Sequence, residues 1–480
     1  MNSEELVGEY LIEEAKNDLA LFHLIYREKE LPPHQERWLD ILNKGDFKYF
    51  LKLAPRDHGK TEVFAISYPL YRIVRDRNIR ILNISKSSGQ AIKTGEVIRR
   101  ELEYNLRLKR GYGEFKGNRW TDKLFSISER DYAIKDPTFE SVGVEGAITG
   151  GHFDLIIADD IVDDENVRTE KRREDIFNWF HGTILQLAEP WTQVVVVGTR
   201  KHFDDLYNRL IENPLWICDP ESAIQKWPDK YEYIKNKNGK VVDVKVYGDS
   251  EVLWIEKWDI KTLLLDRLAT GSLLFDREKQ NDPSSMKGNF LKLQWLNWVD
   301  ENEIPSRQFL TIYFGIDLAI SKDTEADYTA IAIIGIDSKN RFWLLDIYRA
   351  RLDFPEAIKT IENLAKIWEP KVINIESNAY QAAINQQLML TTTLPIRESN
   401  TTKDKITRIA TMAANFENGR VQIKKGLDVF EREWLEFPNG KHDDTLDATE
   451  KALEVAVGHF EMPTGKNISE QELITSNQDW

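Results

Sequence analysis

An apolar run, Tyr49-Phe50-Leu51-Lys52-Leu53, passes through Ala54-Pro55-Arg56-Asp57-His58-Gly59-Lys60-Thr61 directly into the helix-forming stretch Glu62-Val63-Phe64-Ala65-Ile66. A strand that hands over to a helix through one tight loop opens a parallel α/β sheet. It also aims backbone N–H groups and a helix N-terminus at a single point, where a polyphosphate can be held. Gly59 permits close backbone approach, Lys60 supplies a mobile cation for β- and γ-phosphates, and Thr61 offers a magnesium-side hydroxyl. The loop lacks the usual first glycine and carries Arg56 instead, so the Gly-Lys-Thr triplet alone would also suit an ordinary strand-to-helix turn. Upstream, Leu31-Pro32-Pro33-His34-Gln35 precedes a helix predicted over 36–42. Gln35 carries both a donor and an acceptor and is a candidate reader of an adenine edge; the plainer reading is an exposed residue at a Pro-Pro helix start.

Three further apolar runs extend the sheet. Arg80-Ile81-Leu82-Asn83-Ile84-Ser85 reads as a buried parallel strand ending in the polar turn Lys86-Ser87-Ser88-Gly89-Gln90, a plausible place to couple nucleotide to DNA or a plain solvated connection. Phe153-Asp154-Leu155-Ile156-Ile157-Ala158-Asp159-Asp160 is the strongest partner for the loop, because two carboxylates closing a buried strand are costly unless they face a cation or a reacting water. Asp159 would hold magnesium and Asp160 would orient or deprotonate the attacking water; capping of a following helix is the alternative. Thr192-Gln193-Val194-Val195-Val196-Val197-Gly198-Thr199-Arg200 adds a core strand whose tip, Thr199 or Arg200, is positioned to sense a γ-phosphate.

At 480 residues the chain has room for two or three domains. With 41% hydrophobic and 30% charged residues it has the composition of a globular protein, and no signal-like opening or membrane-spanning apolar run is present, so an intracellular soluble protein is expected. Its single cysteine, Cys218, excludes an intrachain disulfide and a thiolate zinc cluster and reads as a buried small hydrophobe. A net charge of −15 argues mildly against tight autonomous DNA binding. The basic runs Arg72 to Arg80, Arg99-Arg100 and Arg107-Leu108-Lys109-Arg110 could still form local patches, and a DNA-processing enzyme held on its substrate by partners stays compatible with the balance.

Between Lys201 and Pro283 the pattern is mixed. Asn236-Lys237-Asn238-Gly239-Lys240 suggests a hairpin turn, while Leu253-Trp254-Ile255-Glu256-Lys257-Trp258 and the segment 274–283 look like packing elements, with breaks at 282–285 and at Pro305-Ser306. Beyond them lie three acidic positions. A strand over Ile312-Tyr313-Phe314-Gly315-Ile316-Asp317, a polar turn and a second strand over 328–336 make a hairpin within 310–337 with Asp317 at the middle of its apolar first half, and a buried carboxylate there calls for a partner, commonly a divalent metal. Glu376 closes the core strand Val372-Ile373-Asn374-Ile375-Glu376. Asp443, Asp444 and Asp447 open a helix running to Ala456, where spacings of three and four residues put pairs on one face. Each has a bland reading: a strand-end acid, a hydrogen-bonded buried acid, or acids favoured by a helix dipole. Lys405 and Arg408 are candidate DNA-phosphate contacts or solvated surface charges.

Taken together, the glycine-poor loop, the block SVGVEGAITGGHFDLIIADD and the strand VVVVGTR resemble the ATPase of large terminase subunits, the DNA-packaging motors of tailed bacteriophages. The three acidic positions, in this order, resemble the RNase H-like, resolvase-type nuclease of the same proteins over about residues 307 to 460. The resemblance implies an α/β architecture: a P-loop ATPase core of the additional-strand type at 1–205, a lid or junction at 206–285, a linker at 286–306, a nuclease at 307–460 and a flexible tail at 461–480. It implies ATP and Mg2+ as cofactors, with Mn2+ an alternative at the nuclease site. Arg56 matches the arginine of the terminase loop, near the nucleotide. Asp317, Glu376, Asp443 and Asp444 would bind catalytic metal, with Asp447 the weaker ligand. Implied partners are double-stranded DNA, the portal protein of the procapsid and a small terminase subunit, with a homo-oligomeric ring on the portal, in the host cytoplasm and without a membrane. One departure stands out: where many relatives carry an arginine finger before the acidic strand, this chain reads Thr149-Gly150-Gly151-His152, which leaves Arg56, Arg168 and Arg200 as candidates. A transposase or recombination-type ATPase-nuclease and a non-enzymatic assembly adaptor are the other readings.

Overall fold

The computed structural model describes residues 10–148, 151–237, 240–283, 290–319, 328–376, 387–390, 392–399, 404–438 and 440–457. The chain divides into two compact units, one formed from Met1–Asn236 and Lys240–Lys287, the other essentially from Gly288–Trp480.

In the first unit β1 (Tyr49–Leu53), β2 (Ile81–Ser85), β3 (Lys116–Trp120), β4 (Leu124–Ile127), β5 (Phe139–Gly143), β6 (Phe153–Asp159), β7 (Ala188–Gly198) and β8 (Trp216–Pro220) form one sheet ordered β3-β4-β5-β2-β6-β7-β1-β8. Only β3–β4 and β4–β5 pair antiparallel; the other neighbours are parallel. The continuous apolar runs are explained by burial on both faces: Leu155, Ile157, Val195 and Val197 join one core while Ile156, Ala158, Val194 and Val196 join the other. Parallel register places Gly198 opposite Leu53 and Val197 opposite Asp159, so β1, β6 and β7 end together. Loops leaving those carboxyl ends converge on one crevice. Smaller ribbons follow, with β9 (Ile224–Lys226) pairing β12 (Glu251–Val252) and β10 (Lys230–Lys235) pairing β11 (Val241–Tyr247) around the expected turn.

The second unit is built on a sheet of β13 (Asn297–Val299), β14 (Thr311–Asp317), β15 (Thr329–Ile336), β16 (Phe342–Ala350), β17 (Val372–Glu376), β18 (Ile396–Ser399) and β19 (Val421–Lys424), in the order β13-β19-β16-β15-β14-β17-β18. β14, β15 and β16 form an antiparallel meander, and β17 and β18 extend it parallel to β14. Helix Asp444–Val457 lies across β14 so closely that a Cβ on Gly315 would stand 2.1 Å from Ala448 O and Ala452 N. That approach brings the helix's acidic first turn toward the end of β14, where Asp317 sits.

Asp317 closes β14, where the strand read from the sequence over 312–317 also ends. Two expectations change. Half of the arginines of the expected basic patches are paired within the fold, Arg80 with Asp154 at 2.7 Å, Arg99 with Asp122 at 2.6 Å, Arg72 with Tyr68 Oη at 2.8 Å and Arg77 with Glu114 O at 2.9 Å, while Arg75, Arg100, Arg107 and Arg110 are exposed. Cys218, on edge strand β8, is only half-buried. Among the described residues no helix is long and apolar enough to cross a membrane.

Candidate functional site

The loop after β1 turns through two left-handed residues, Asp57 (φ 67°) and Gly59 (φ 89°), before the helix opens with a widened turn over Thr61–Ser67. Glycine is needed at 59 for space as well: a Cβ there would lie 2.2 Å from Gln35 Nε2. Gln35 is buried and its amide donates to His58 O at 3.2 Å, so its donor braces the loop in this conformation and does not stand free for a base. The Lys60 ammonium is buried, donating to Ala54 O at 2.8 Å and to Thr199 Oγ1. Burial lowers its pKa, against the opposing pull of Asp160 and Asp159.

Thr61 Oγ1 donates to Asp159 Oδ2 at 2.8 Å, which joins the end of β6 to the start of the loop helix. The other carboxylate oxygen, Asp159 Oδ1, is buried without a hydrogen-bond partner. Burial raises the Asp159 pKa, and the neighbouring charge of Asp160 adds to the rise. A buried, partnerless anionic oxygen beside a threonine hydroxyl is a donor set that suits Mg2+. Asp160 itself is left-handed (φ 49°), held by its N–H to Val197 O at 2.9 Å, and half-buried at the crevice.

The remaining loop candidates separate. Thr199 is buried, touching both Lys60 and Ala54 O. Arg200 turns to Asn208 Oδ1 at 2.9 Å, Arg56 is exposed with its backbone N–H donating to Glu278 O at 2.9 Å, and Arg168 is exposed. Sequence reasoning missed how closely the later segment holds the loop. Lys257 Nζ donates to Asp57 O at 2.7 Å, Lys279 Nζ to Arg56 O at 3.2 Å, and Lys279 also lies 3.7 Å over the Trp258 ring, which stacks on His58. The only sequence signal was aromatic and basic residues among helix formers, which names no partner.

In the second unit, Asp317, Asp443, Asp444 and Asp447 gather where β14 meets helix Asp444–Val457. Burial, then the charge of Asp447, raises the Asp317 pKa to about 7. Asp444 accepts from Arg349 Nη2 at 3.0 Å, and the same guanidinium lies 3.2 Å from Glu433 and 3.6 Å over the Tyr328 ring. Lys405 Nζ stands 2.5 Å from Asp443 and 2.6 Å from Asp447, while Arg408 reaches Asp447 at 3.2 Å and Glu450 at 2.6 Å. Both residues therefore serve the carboxylates here, contrary to the expectation of phosphate-facing surface charges. The side chain of Glu376, whose backbone closes β17 beside Ser399, lies outside the described residues, as do Thr149 and Gly150 and the tail from 458 on. Among the described residues, no three potential ligand side chains are grouped so as to hold an ion. The hard oxygen donors still fit Mg2+ in kind, and the chain's own cations take up much of their charge.

The fold and these centres define a class: a parallel-sheet core bearing a phosphate loop and an acidic strand end, followed by an RNase H-like unit. The particular likeness is to the large terminase subunits of bacteriophages. Residues 314–455 match the family described as the Terminase RNaseH-like domain. Over 227 residues, 44% of this chain, the sequence is 26% identical to the large terminase subunit of Enterobacteria phage T3, a match that spans 37% of that protein. The large terminase of a thermophilic bacteriophage shares the fold, with a TM-score of 0.51 at 11% identity over 89% of this chain and 99% of that one. The magnesium-bound large terminase nuclease of thermophilic phage G20c is also similar, with a TM-score of 0.30 at 13% identity over 35% of this chain and 97% of that one.

Proposed function

We propose that this chain is a DNA-packaging terminase large subunit that hydrolyses ATP at the loop of its first unit and cleaves DNA at the carboxylates of its second. The observation that carries the reading is the bond from Thr61 Oγ1 to Asp159 Oδ2 at 2.8 Å beside the buried Lys60, the arrangement an ATP-hydrolysing loop requires. Bound magnesium would neutralise developing charge on phosphate oxygens, held at the first centre by Thr61 and Asp159 and at the second by Asp317, Glu376, Asp443 and Asp444. Lys60 would exchange its carbonyl partners for the β/γ-phosphates. Asp160, at the mouth of the crevice, would orient the attacking water and accept its proton. In the second unit the carboxylates would position a water in line with a phosphodiester.

The proposal extends to the division into motor 1–205, lid 206–285, linker 286–306, nuclease 307–460 and tail 461–480. It extends also to the partners: double-stranded DNA, a portal protein, a small terminase subunit and a homo-oligomeric ring working in the host cytoplasm. The test is reciprocal. Lys60→Ala should abolish ATP hydrolysis and leave metal-dependent cleavage of plasmid DNA, and Asp317→Ala should do the reverse. Joint loss of both activities in either folded variant would overturn the two-centre reading.

A further inference from the structure

Four carboxylates brought together in the second unit need countercharge. Lys405, the first residue of helix Lys405–Glu417, supplies it from a fixed base, since Asp404 caps the helix by accepting from Thr407 N at 2.9 Å. From that base the flexible four-carbon stem brings the ammonium between Asp443 and Asp447, at 2.5 and 2.6 Å. Arg408, one turn on, holds Asp447 from a second direction at 3.2 Å and is itself anchored on Glu450. Asp447 therefore keeps a partner even when the lysine leaves.

We propose that the Lys405 ammonium is an internal counter-ion that fills the cation position between Asp443 and Asp447 until a divalent ion displaces it. The inference rests on the nuclease reading of this unit and adds a regulatory residue to it. A monovalent, tethered cation and a divalent free one compete for the Asp443 carboxylate, with Asp447, the weaker ligand, beside it. The apparent affinity for the ion is reduced by the fraction of protein in which the lysine is engaged. Two consequences follow: the acids stay neutralised without metal, and metal occupancy is tuned by a residue that need not ligate. The long stem and compact ammonium suit this better than arginine would, because a lysine releases as a single point charge.

The test uses the full chain in an Asp159→Asn background, which silences the other candidate ion site, titrated with Mn2+ in the absence of nucleotide and read by electron paramagnetic resonance of free ion. Lys405→Met should bind Mn2+ about tenfold more tightly or better. Unchanged or weaker binding with an intact circular dichroism spectrum would overturn the inference while leaving the nuclease reading standing; no Mn2+ binding in either protein would overturn both. Should the variant not fold, the natural sequence supplies an independent readout. Amine-reactive labelling of Lys405, followed by peptide mass spectrometry, should accelerate several-fold when saturating Mg2+ frees the ammonium. An unchanged labelling rate would overturn the inference.

Discussion

The two centres solve the problem of concentrated charge in opposite ways. At the phosphate loop the cation is kept by neutral partners, Ala54 O and Thr199 Oγ1, and one oxygen of Asp159 is left buried and unpartnered. In the second unit the acids are answered by cations of the chain, Lys405, Arg408 and Arg349. The first arrangement is preorganised for an incoming ion and polyanion; the second must give up internal ion pairs before an ion can enter. The number of acids explains the difference. Two carboxylates at a strand end tolerate one unmet oxygen, whereas four near one helix turn would repel one another without countercharge.

The comparison breaks most visibly at Asp159. If its free oxygen is the ion site, Asp159→Asn should reduce ATP turnover on the order of 10²-fold or more with little change in DNA cleavage, measured by phosphate release and plasmid nicking. Turnover within a factor of two of the natural protein would show that the preorganised oxygen holds nothing needed for hydrolysis. Gly315 probes the other centre, since a methyl group there meets backbone atoms that cannot swing aside. Gly315→Ala should destabilise the second unit by about 2–3 kcal/mol, seen in calorimetry as a lowered transition for that unit alone, with cleavage falling as the helix is pushed off β14.

A pH measurement sharpens the contrast further. Burial lowers the His58 pKa from 6.5 to about 3, so folding disfavours its proton. Between pH 6.5 and 3 the unfolded chain binds a proton the folded one refuses, and stability falls as pH falls through that window. From pH 6.5 to 5 this single group contributes a loss on the order of 2 kcal/mol. His58→Gln should show a correspondingly flatter decline in melting temperature over that range. Identical slopes would mean that the ring beneath the loop is open to water.

Legibility from sequence followed the distance over which each signal acts. Strands β1, β2, β6 and β7 were readable because burial on both faces demands unbroken apolar runs, and Asp159 because it closes one of them. The hairpin at 230–247 was readable from its polar turn. Asp317 was readable in the same way, as the acid that ends the apolar run 312–317 before the second strand of the hairpin. What stayed hidden was pairing between distant positions: Gln35 against the loop, the internal partners of Arg72 to Arg99, and Lys405 on Asp443 and Asp447. A lysine in a helix looks the same in sequence whether it faces water, phosphate or carboxylate.

The smallest effect belongs to the clasp on the loop, and it asks whether preorganisation at the first centre depends on the segment that follows the sheet. Lys279 is buried although charged; its ammonium sits over Trp258 and donates to Arg56 O, with Asp57 3.7 Å away. Lys279→Met keeps the stem's packing and removes the cation–π contact and the hydrogen bond to the loop carbonyl. Those contacts are each worth about 1 kcal/mol when partly desolvated. Because they act on the backbone that must cradle phosphate, their loss should raise the KM for ATP a few-fold while kcat changes less. Charge at the second centre is untouched, so cleavage and Mn2+ binding there should not move. A fall in kcat at constant KM would instead place Lys279 in the chemical step and make the clasp part of the reacting site.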